Sequence, residues 1–61
     1  MIKNRQELFV QVDMLKGNIN RMCVSDNENE VFLMYSFASR RLMDICDYNR
    51  KRIQDQRVKD V

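Results

Sequence analysis

Two apolar stripes of identical spacing, separated by a short polar segment, limit the folds open to this chain more than any other feature. Leu8, Val12, Leu15, Ile19 and Met22 recur at intervals of 4, 3, 4 and 3 residues, the pattern of one helix face. After Ser25 to Glu30, which read SDNENE, the residues Val31, Tyr35, Ala38, Leu42 and Ile45 repeat those intervals. Asn49 and Arg52 carry the phase onward with polar side chains. Folding the chain back at Asp26–Asn27 brings Leu8 to Ile45, Val12 to Leu42, Leu15 to Ala38, Ile19 to Tyr35 and Met22 to Val31. Apolar meets apolar at every level. The prediction is an all-α fold, an antiparallel two-helix hairpin occupying residues 1–61 as a single domain. The expected boundaries are a helix over about 4–23, a turn at 24–27, a helix over about 28–55 and a frayed basic tail over 56–61.

Local signals agree with this division. Asn4 followed three residues later by Glu7 fits a capping box, in which each side chain occupies a backbone N–H of the first turn. Ser25 with Glu28, or Asn27 with Glu30, offers the same device to the second helix, and the acids suit the positive end of its dipole. That segment lacks the length and the central glycine of a calcium loop. Gly17 falls inside the first helix, off the stripe, and reads as a weak point or as a place where another helix approaches closely.

A chain of 61 residues is in the size range that usually needs a disulfide framework, a metal or a partner copy. Two Cys and no His supply neither of the first two, so no metal or other cofactor is expected. The fold-back sets Cys23 and Cys46 at different levels, which predicts reduced, half-buried thiols. Phe9, Val10, Met14, Phe32, Leu33, Met34, Phe37 and Met43 remain outside the hairpin stripe. Burying one Phe contributes about 1.5–3 kcal/mol, so leaving several in water forfeits much of a small domain's stability. Two hairpins paired as a four-helix-bundle homodimer would cover them, and a different protein could use the same residues. The longest apolar run is five residues, Val31 to Tyr35, and the N-terminus MIKNRQELF has no signal-peptide core. The expectation is a cytoplasmic protein without a membrane span.

Charge is uneven. Residues 1–30 carry four basic and five acidic side chains, net −1, whereas residues 31–61 carry seven and four, net +3. Arg50, Lys51 and Arg52 form a possible electrostatic contact, to nucleic acid or to a partner's acidic rim. Acids dilute the cluster and only Tyr48 interleaves with it, so base reading is not expected. No catalytic residues are expected either, since His, a glycine-rich phosphate loop and a paired-acid cleft are all missing from the pattern. Protein binding is left, and Phe32, Phe37, Ser39, Arg40 and Arg41 form the candidate contact set. A guanidinium there can hold a partner's carboxylate through two hydrogen bonds.

Residues Ser25 to Ile45 resemble the signature segment of the Hha/YmoA-type small nucleoid-associated regulators, through Ser25, Asp26, Asn27, Glu28, Val31, Phe32, Tyr35, Ser36, Ala38, Arg41 and Leu42. The resemblance covers about a third of the chain, and Ser39 stands where that family has an acidic residue. It implies a helical, non-enzymatic transcription or nucleoid regulator that binds the oligomerisation domain of a silencing protein. A second likeness joins Val12, Leu15, Lys16 and Ile19 to the first helix of the sporulation-phosphorelay aspartyl-phosphate phosphatases. Their second-helix motif aligns with Ser39 to Met43, and Met43 replaces its acid. That likeness implies a hairpin acting on the aspartyl phosphate of a response regulator. The expected function is therefore regulation by binding another protein, with phosphatase activity second and weak nucleic-acid binding by a helical dimer third.

Overall fold

A computed structural model describes the backbone of residues 1–59 and the side chains of residues 1–56. It consists of two helices, α1 over Arg5–Val24 and α2 over Glu28–Lys59, packed on each other as an antiparallel hairpin. The caps explain both starts. Asn4 has extended backbone angles, and its side-chain oxygen accepts the Glu7 amide at 2.9 Å. The Glu7 carboxylate reaches back to the Lys3 amide at 2.8 Å, one residue before the position a standard capping box would engage. At the turn the Ser25 amide donates to the Arg21 carbonyl and closes α1. The Ser25 hydroxyl accepts the Asn27 amide at 3.1 Å. Asn27 then opens α2, its side-chain oxygen accepting the amides of Asn29 at 2.9 Å and Glu30 at 3.3 Å. Three residues thus satisfy two helix ends without a glycine, and the described backbone has no residue with positive φ.

The expected tail over 56–61 is helix as far as Lys59, while Asp60 and Val61 lie outside the described residues. α2 is twelve residues longer than α1, and residues 1–3 run beside its far end. There Ile2 is buried against the part of α2 that carries Tyr48 and Lys51. Ile2 belongs to neither stripe.

The molecule measures 51 × 17 × 16 Å, with a radius of gyration of 14.6 Å. A compact chain of this length would have about 10.5 Å. Its accessible surface is 5410 Å², against about 4,200 Å² for a folded monomer of equal mass. The excess of about 1,200 Å² reflects a molecule two helices wide and one helix thick, with no further layer to enclose a core. Ile2, Leu8 and Ala38 are the buried apolar residues among those described.

The seam is rotated from the expected stripe. Leu8, Val12, Leu15, Met22, Val31, Ala38 and Ile45 line it, buried or half-buried as expected. Ile19, Tyr35 and Leu42 do not, being 45%, 60% and 50% exposed. Asn18, Met34 and Arg41, each the preceding residue, turn inward instead. The reason is a polar bridge on one side of the seam. The Asn18 amide lies 3.4 Å from the Met34 sulfur, and its oxygen accepts the Arg41 Nε–H at 3.1 Å. Nearer the turn, Arg21 Nε and Glu30 Oε1 are 2.6 Å apart. These contacts draw the helices together along one edge and roll Ile19, Tyr35 and Leu42 outward.

Candidate protein-interaction surface

The roll gives the hairpin two unlike sides. At about 100° per residue, helical phase assigns each exposed side chain to one of them. The laced side carries Arg21–Glu30 and Asn18–Arg41 across the seam, with Val10 and Met14 on α1 and Leu33, Phe37 and Arg40 on α2. The open side carries Phe9 and Ile19 on α1 and Phe32, Tyr35, Leu42 and Ile53 on α2, all exposed. Among the described residues the polar contacts that cross the seam, Asn18 with Met34 and Arg41 and Arg21 with Glu30, lie on the laced side.

Electrostatics follow the same division. The Arg21 guanidinium and, secondarily, the Ser25 hydroxyl hold the Glu30 carboxyl below the usual glutamate range. Arg21 remains 59% exposed at the side chain, so the pair ties the turn end of the seam more than it stores energy.

At the turn end of the open side, Met22, Val31, Phe32 and Tyr35 line a shallow groove whose rim includes Ser25, Asp26 and Glu28. A second hollow farther along α2 is lined by Ser39, Leu42, Met43, Cys46, Asp47 and Arg50. Both cysteines are free and exposed, which corrects the half-buried placement expected for them. Their different levels keep them apart, as the fold-back implies.

The expected contact set is divided by this geometry. Phe32 and Ser39 lie on the open side, whereas Phe37 and Arg40 lie on the laced side. Arg41 is half-buried in the seam and committed to Asn18, so it is not a free guanidinium. Arg50, Lys51 and Arg52 are exposed, but successive helical residues diverge by about 100°, so they form no single basic face. Arg50 approaches Asp47 at 4.0 Å, and Lys51 and Arg52 lie near Ile2, Lys3 and Asp55. The inward positions Asn18 and Met34 were not legible from the stripe, though their sequence neighbours were.

Among the described residues no cluster of three or more His, Cys, Asp or Glu could hold a metal ion. Asp44 is half-buried near Ile2, and Asp47 pairs loosely with Arg50. Both carboxylates line one open hollow with Met1, Ile2, Tyr48 and Lys51. Among the described residues no helix is long and apolar enough to cross a membrane. What the fold defines is a two-helix hairpin with a broad uncovered apolar side. No protein-family model, curated protein or solved structure matches the chain.

Proposed function

We propose that this chain is a small non-enzymatic regulatory protein that acts in the cytoplasm as a homodimer, by binding and modulating another protein of the transcription or nucleoid machinery. The observation that carries the reading is the amount of large apolar side chain left in water by so small a fold, with Phe9, Phe32, Tyr35 and Phe37 all exposed. The segment from Ser25 to Ile45 supports the class of partner through its resemblance to the Hha/YmoA-type regulators. Two sides allow two tasks. Phe37 and Arg40 on the laced side supply an aromatic anchor beside a guanidinium, a pairing common at the energetic centre of interfaces. The open side is left for a second copy.

The test is affinity capture from a lysate of the source cells, followed by binding of the captured protein to Phe37→Asp and Arg40→Glu variants. Loss of binding with unchanged helicity supports the reading. Retention by both variants moves the contact elsewhere. A parallel incubation with phosphorylated response regulators addresses the second reading, which rests on the hairpin architecture and on Asp44 and Asp47 along α2. Phosphate release at substoichiometric protein would replace the binding reading with phosphatase activity.

A further inference from the structure

On α2 the open side carries a stripe of its own. Phe32, Tyr35, Ser39, Leu42, Cys46, Asn49 and Ile53 follow one another at intervals of 3, 4, 3, 4, 3 and 4 residues. This is a coiled-coil spacing held for three heptads, and it lies outside the hairpin seam. It continues past the level where helix α1 begins, so the chain's own first helix cannot be what it matches. Ile53 shows this most clearly. It is 53% exposed, and residues 1–3 pass on the Tyr48–Lys51 side of α2, away from it.

We propose that a second copy of this chain covers the stripe, with the two α2 helices antiparallel and the turns at opposite ends. Leu42 and Cys46 then lie near the two-fold axis. Ile53 of each copy reaches the level of Phe32 and Tyr35 in the other, in the groove that Met22 and Val31 also line. This pairing rests on the dimeric reading above and specifies its geometry.

Three observations select this occupant. The first is area: an excess of about 1,200 Å² per chain is what a stable dimer needs, since standard interfaces remove about 800 Å² from each partner. The second is charge. The turn end of the open side carries Asp26 and Glu28 on the rim of its groove, and the hollow farther along α2 carries Arg50. Antiparallel pairing sets each acidic end beside a basic one, whereas turns at the same end would bring like charges together. The third is length: α2 overhangs the helix α1, so a pair formed through α2 covers Ile53, which the chain's own first helix does not reach.

Sedimentation equilibrium on the full chain should give twice 7.4 kDa. Ile53→Asp should raise the dissociation constant about 100-fold or more, because each dimer loses two buried Ile side chains. The hairpin itself should keep its helicity, since Ile53 is about half exposed and lies beyond the level where α1 begins. Phe37→Asp, on the other side, should leave the dimer intact. With Cys23→Ser and Cys46→Ser in place, a short bis-maleimide on an Ile53→Cys chain reads orientation: same-end pairing joins the two thiols at position 53, and opposite-end pairing keeps them out of reach. A dimer linked through position 53, or one lost with Phe37→Asp and kept with Ile53→Asp, overturns this geometry and leaves the dimeric reading standing. A 7.4 kDa species at every concentration overturns both.

Discussion

The two sides of the hairpin are built from the same two helices and obey different physics. The laced side joins α1 to α2 with directional contacts, Arg21 to Glu30 and Arg41 to Asn18, that fix rotation and register. The open side presents Ile19, Tyr35 and Leu42, whose burial is favourable in any orientation that excludes water. Directional bonds specify one arrangement and stabilise it little, because they replace bonds to water. Apolar contact stabilises more and specifies less. Here the hairpin is positioned by the first kind, and the second kind is left facing outward.

Substitutions can break this contrast. The largest effect belongs to the seam that both sides share. Leu8→Ala removes a side chain only 7% exposed and should cost about 2–5 kcal/mol, enough to abolish a cooperative melt in a marginal fold. Leu42→Ala, half exposed on the open side, should cost a separated hairpin only about 1 kcal/mol. Denaturant melts at low protein concentration compare the two, and equal losses would mean that Leu42 belongs to the seam.

Arg41→Ala comes next, at about 1 kcal/mol for one net hydrogen bond. A double-mutant cycle with Asn18→Ala should return a coupling of about that size. Zero coupling would show that packing alone, not the polar bridge, sets the rotation of the seam. Gly17→Ala should have the opposite sign. Nothing lies within 4 Å of a methyl group added there, so the substitution should stabilise the hairpin by up to about 1 kcal/mol. A loss instead would reveal a neighbour approaching Gly17 in the assembled protein.

The smallest effect is that of pH on Arg21–Glu30. A carboxyl held below its ordinary range contributes stability in full above its unfolded pKa. That contribution is lost as the pH falls through the folded value. The advantage of the parent over Glu30→Gln should therefore be constant near neutrality and disappear in the acid range below the usual glutamate pKa. Melts over that range check it, and an advantage persisting at the lowest pH would assign the effect to packing.

The sequence alone determined the architecture. Stripes at intervals of 3 and 4, Asn4 and Asn27 at the caps, and a polar turn at residues 25–27 specify two antiparallel helices, because periodicity and capping act within a few residues of each other. It also left Phe32 and Phe37 outside the seam, as they are. Tertiary structure alone decided the rotation. Asn18 or Ile19, Met34 or Tyr35, and Arg41 or Leu42 are adjacent pairs, and a stripe about 100° wide accommodates either member. The choice depends on whether an Asn and an Arg from opposite helices come within hydrogen-bond distance, which no spacing along one helix encodes. That choice divided the expected contact set, drew Arg41 into the seam and turned Ile19, Tyr35 and Leu42 outward. The burial of Ile2 has the same origin: its partner is a stretch of α2 nearly fifty residues away, reached only after the chain has turned back on itself.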